Sequence, residues 1–244
     1  EYAPPRGSFR LTEHFSVRQN SLTSALLVFP LFLTYQIGIL LRGGSGLNGV
    51  DYITSSLIEL CARDLDTYLL TLACLLVAYG SLLLILRSRG VFRAESFVPT
   101  ILEAGFYATT MGTLILLVIH QVSVLLPSPT LAIGSYDLGD VLVISAGAGL
   151  HEELLFRLLG MGGLGWLLSG LFGKREAWVL AFLLSSLAFS LAHHVGAGAE
   201  AFTMAAFVYR FLAGMFFAVV YHLRGFGVAA WAHALYDLYV LSLF

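Results

Sequence analysis

Residues Leu138 to Phe172 read LGDVLVISAGAGLHEELLFRLLGMGGLGWLLSGLF. The run stays apolar for far longer than the roughly 20 residues that carry a helix across a bilayer. Yet it holds His151, Glu152, Glu153 and Arg157 at its middle, with apolar sequence on both sides. Ionisable side chains inside such a run are costly, and they are found paired or functional. The stretch therefore reads as a membrane span whose polar groups must meet partners from other spans. It is too long for one straight crossing, and the glycines of Gly160-Met161-Gly162-Gly163-Leu164-Gly165 are expected to break it into a spanning helix and a shorter piece.

The rest of the chain fits a lipid environment. Of 244 residues, 58% are hydrophobic and 11% charged, against about a quarter charged in soluble domains, and the mean hydropathy is +0.86. A surface this poor in charge cannot be hydrated, so the lipid bilayer is the first partner implied. The net charge of −2 gives no sign of nucleic acid as a partner. Cys61 and Cys74 have no metal-ligand spacing, and no disulfide between them is expected. The polar segment Glu1–Asn20 does not read as a cleavable signal peptide.

Further apolar runs occur at Ser21–Leu41, Thr67–Leu86, Val98–Leu126, Ala177–Ala192, Thr203–Leu223 and Gly227–Phe244. The expected fold is all-α, a polytopic bundle of seven or eight transmembrane helices enclosing a polar cavity. Arginines and lysines gather before the first span and after the second, fourth and sixth, which by the positive-inside rule puts the N-terminus in the cytoplasm. The small size and arginine pattern suggest a prokaryotic plasma membrane. No internal repeat separates the halves. Residues 1–140 form a motif-poor N-terminal set of spans and residues 141–244 a motif-bearing core within one membrane domain.

Glu153 and Arg157 are spaced i,i+4 and can pair along one helix face. Glu152 points about 100° away on an α-helix. Two acids thus share one arginine, and one is suited to accept a proton. Downstream, Phe189-Ser190-Leu191-Ala192-His193 closes the fifth span, and His233-Ala234-Leu235-Tyr236-Asp237 places an i,i+4 His/Asp pair in the last. Each alone fits a capping residue or an interhelical hydrogen bond. Together they put Glu, Glu, Arg, His, His and Asp on three apolar helices, and burying them apart would cost several kcal/mol per group. They are expected to converge on a water or a metal ion, the parts for acyl-bond hydrolysis without a covalent intermediate. Zinc is the candidate cofactor, although Arg157 nearby disfavours a cation and a metal-free site is preferred. Arg210, one turn before Gly214, is expected to face the cavity and either pair with Glu103 or receive a substrate carboxylate.

The ordered motifs Glu152-Glu153…Arg157, Phe189…His193 and His233…Asp237, with Gly214…Tyr221…Arg224-Gly225 between the last two, resemble the CPBP family. This is the family of CAAX prenyl endopeptidases and bacteriocin-processing proteins, and the likeness covers roughly Val141–Val240. Asp237 stands where some members carry Asn. The resemblance implies an intramembrane endopeptidase of the glutamate or metal-dependent type. In it Glu152 activates water, Glu153 with Arg157 positions it, and His193, His233 and Asp237 hold the water or metal and stabilise an oxyanion. It implies as substrate a membrane-associated or lipid-anchored protein or peptide, cleaved at a C-terminal anchor or a leader. The competing expectation is a proton- or ion-coupled transporter or immunity protein using the same acids.

Overall fold

The computed structural model describes residues 11–42, 50–122, 136–196, 199 and 201–243, and among them every regular element is helical. The helices are α1 (Leu11–Ser16), α2 (Ser21–Arg42), α3 (Tyr52–Leu60), α4 (Leu65–Arg87), α5 (Phe97–Val122), α6 (Leu138–Gly147), a π-helical segment (Ala148–Gly163), α7 (Leu164–Leu168), α8 (Lys174–Ala192), α9 (Met204–Arg224) and α10 (Phe226–Leu243). Among the described residues, five helices, at Ser21–Arg42, Leu65–Arg87, Ala94–Ile119, Lys174–Ala192 and Met204–Arg224, are long and apolar enough to cross a membrane. The expected end of the third span, Ser123–Leu126, lies outside the described residues, as does Phe244.

α10 is the hub of the bundle. It packs against α5, the π segment, α6, α9 and α2, while α8 packs on α9 and the π segment. Small residues make this possible, because Val228, Ala229, Ala230 and Ala232 are wholly buried and leave room for neighbouring backbones. A Cβ on Gly149 would stand 2.4 Å from the Ala230 carbonyl oxygen, so only glycine fits this crossing. α2 carries Pro30 in its interior, and proline cannot donate to the carbonyl one turn back. The nearby carbonyls of Ala25 and Leu27 accept from Tyr79 Oη (2.5 Å) and Trp231 Nε1 (2.6 Å), which ties α4 and α10 to this part of α2.

The glycine run does not break the fourth span. Gly163 and Leu164 keep helical backbone angles, and the helix continues to Leu168 before turning over Ser169–Gly173. What changes at Ala148 is the winding. The hydrogen bonds widen to the π pattern, a form that concentrates at functional sites. Glycine is conformationally permissive without being obliged to break a helix, and neighbouring helices supply the missing packing.

Candidate active site

Glu152, Glu153 and Arg157 sit on the π segment and are buried, with exposures of 2%, 0% and 1%. In the wider π turn, adjacent residues diverge by about 80° rather than 100°, which brings both carboxylates toward the same interior. Glu153 lies at the centre. Its Oε1 accepts from His233 Nδ1 at 2.8 Å, and its Oε2 is 3.2 Å from Arg157 Nε. The latter is a charge contact rather than an aligned hydrogen bond. Arg157 Nη2 donates to the Gly214 carbonyl at 3.1 Å. Its guanidinium stacks over Phe189 at 4.3 Å and approaches Phe217 at 5.6 Å. The arginine thus links the π segment, α8 and α9 through one buried charge.

Glu152 faces both imidazoles. Its Oε2 is 3.5 Å from His193 Nε2 and 3.9 Å from His233 Nε2. The expected convergence of α8 and α10 on the π segment is therefore present. In the fold both imidazoles come within 4 Å of one carboxylate.

The hydrogen bonds fix the imidazole tautomers. His193 Nδ1 is 2.8 Å from the Phe189 carbonyl, which can only accept, so that nitrogen carries the hydrogen. His233 Nδ1 donates to Glu153. In the neutral rings, both Nε2 atoms turn a lone pair toward Glu152. Asp237 Oδ2 is 3.7 Å from His233 Nε2. Four acceptors thus surround one small volume, which suits a donor such as water placed off the lines between them. Asp237 accompanies His233 from the same helix, but the residue that orients the His233 ring is Glu153. The i,i+4 spacing of the His/Asp pair gave no sign of this, because the Glu153 contact spans two distant segments.

Phe189 and Phe217 form the floor. Phe217 stacks on His233 with ring centroids 4.4 Å apart and an interplanar angle of 16°, and Phe189 lies 4.8 Å from the His193 ring. Phe189 was visible in sequence by its place four residues before His193. Phe217 had no such signal.

The expected Arg210–Glu103 pair does not form. Glu103 on α5 is taken by Arg224, which donates from Nε at 2.5 Å and from Nη2 at 3.1 Å. Arg224, read from sequence as a marker of orientation, is 6% exposed. It also donates to the carbonyls of His14 and Val17, so it locks α1, α5 and α9 together. Gly225, at φ +100°, ends α9 and lets the Arg224 carbonyl accept from Gln19 N at 3.0 Å. Arg210 is half-buried on α9 and acts electrostatically on Asp237 and His193.

His, Glu and Asp are chemically competent zinc ligands. Among the described residues, however, no group of three such side chains is placed to hold a metal ion. Cys61 and Cys74 are both free thiols.

Residues 134–239 match the family model described as type II CAAX prenyl endopeptidase Rce1-like. No curated protein and no solved structure matches the chain.

Proposed function

We propose that the chain, whose residues 134–239 match the Rce1-like model of the CPBP family, cleaves a membrane-associated protein or peptide with water activated by Glu152. The observation that carries this reading is the position of Glu152 Oε2 within 4 Å of two Nε2 atoms whose rings have already committed their Nδ1 hydrogens.

A water seated among these acceptors donates its hydrogens to Glu152 and to an imidazole, leaving an oxygen lone pair for the scissile carbonyl carbon. Glu152 takes the water proton as the C–O bond forms, then returns it to the leaving nitrogen as the C–N bond breaks. Glu153 holds the His233 ring, and Arg157 balances the charge of Glu153 from below. His193 and His233, each with its hydrogen on Nδ1, present Nε2 as acceptors to the water and hold it against the scissile carbonyl, with Asp237 beside His233. Arg210 receives a carboxylate of the substrate, which suits cleavage near a C-terminus. The substrate class is a lipid-anchored or membrane-associated chain cut at a C-terminal anchor or a leader. The chain is proposed to sit in a prokaryotic plasma membrane with its N-terminus cytoplasmic.

The test is a comparison of peptide ends in membranes carrying wild type or Glu152→Gln. Peptide termini present only with wild type are expected, with both proteins equally folded in detergent. Identical termini in the two membranes overturn the assignment.

A further inference from the structure

α4 is the least enclosed of the long apolar helices, with 6% of its spanning window buried, and it leans on α2. Contact with α2 is made through Tyr68, whose hydroxyl donates to Gln36 Oε1 at 2.6 Å, and through Tyr79 on Ala25. Toward its C-terminal end the two helices enclose a groove of about 430 Å³. Leu22, Leu26, Leu83 and Leu84 line its length, and Arg87, Gly90, Val91 and Phe92 close one end.

That end is built rather than loose. Asn20 Nδ2 donates to the Val91 carbonyl at 3.1 Å, and the Thr23 hydroxyl reaches the same oxygen at 3.5 Å. Gly90 abuts Asn20 so closely that a Cβ would come within 2.8 Å of its Oδ1. The turn after α4 is therefore pinned to the start of α2, and the groove exists before anything enters it. Arg87 and Arg89 are exposed and Arg93 is half-buried, and among the described residues none of the three meets a carboxylate. Arg87 at the mouth of an apolar groove, with Arg89 and Arg93 adding positive charge to the same connection, matches one kind of molecule, an amphiphile with an anionic head. A zwitterionic lipid carries its own cation and leaves the arginines unbalanced, whereas a phosphate diester without that cation is bound by guanidinium through paired hydrogen bonds.

We propose that this groove binds an anionic phospholipid of the adjoining leaflet, with one acyl chain along Leu22, Leu26, Leu83 and Leu84 and the phosphate against Arg87. None of the catalytic candidates lines the groove, so the proposal stands apart from the proteolytic reading. Each arginine near an anionic lipid surface strengthens partition by about five-fold, and salt near 1 M weakens it by screening.

The experiment uses the full chain in detergent micelles doped with phosphatidylglycerol or with phosphatidylcholine of the same acyl chains, and native mass spectrometry counts the lipids retained. Phosphatidylglycerol is expected to be retained preferentially, and Arg87→Gln is expected to reduce its retention by about five-fold. Leu84→Trp, at a side chain 70% exposed, fills the groove while leaving every arginine in place and is expected to reduce retention as well. Equal retention of the two lipids overturns the proposal. A preference that survives Leu84→Trp also overturns it, because that marks diffuse attraction instead of a site. Displacement of the lipid by a prenylated peptide reassigns the groove to substrate and likewise ends it.

Discussion

Replacing Arg157 with methionine removes one buried cation while keeping a side chain of similar reach. In the structure Arg157 is 1% exposed and stands 3.2 Å from Glu153, which is wholly buried. Breaking a buried pair by removing one partner costs about 3–5 kcal/mol, because the remaining charge stays uncompensated. The loss of stacking over Phe189 adds to this. For a chain of this size, about 2–4 °C of melting temperature goes with each kcal/mol, so Arg157→Met is expected to lower the midpoint by about 6–20 °C. Adding Glu153→Gln removes the stranded charge and leaves an amide oxygen to accept from His233 Nδ1. The double variant should therefore recover at least half of the loss. Thermal unfolding of wild type, both single variants and the double variant in one detergent closes the cycle. If the two single effects add to within about 0.5 kcal/mol, the residues are not energetically coupled, and the account of Glu153 and Arg157 as one electrostatic unit is refuted.

Gly149→Ala is expected to lose about 1–3 kcal/mol by overpacking and to lower cleavage by moving Glu152 away from His233, since its Cβ would meet Ala230 O at 2.4 Å and Ala234 Cβ at 2.6 Å. Gly80→Ala, with nothing within 4 Å of the new Cβ, serves as control and should be neutral or stabilising by up to about 1 kcal/mol. An unchanged melting point for Gly149→Ala would contradict the close crossing. Cleavage is expected to survive exhaustive chelation; stoichiometric zinc in active protein, with activity lost to chelation and restored by zinc, would overturn the metal-free reading. Burial, reinforced by the Arg224 charge and opposed by Glu103, holds His14 below its ordinary value of 6.5. The unfolded chain then binds more protons than the folded one just below that value, so stability should fall as pH drops from about 6.5. Melting temperatures at neutral and mildly acidic pH should show a smaller fall for His14→Gln than for wild type, and equal falls would exclude His14 as a source.

The sequence by itself determined the solvent, the helical class and which polar groups lie inside the apolar runs. Lipid in place of water forces continuous apolar runs, and any ionisable group inside one must be paid for by partners. Glu152, Glu153, Arg157, His193, His233 and Asp237 therefore stood out without coordinates. Local spacing also gave the Glu153–Arg157 pair, because i,i+4 contacts depend only on helix geometry. Partner choice across the bundle was decided by the tertiary structure alone. Arg224 rather than Arg210 takes Glu103, since the end of α9 reaches α5 where the two helices pack. Glu153 rather than Asp237 orients His233, because Gly149 and the alanines of α10 let the π segment and α10 approach closely enough for a 2.8 Å contact between residues 80 positions apart. The winding of the fourth span was equally hidden: glycines permit a break without requiring one, and packing from α8 and α10 keeps the helix continuous. Such choices depend on which backbones fit against one another, and no periodicity within a single helix records that.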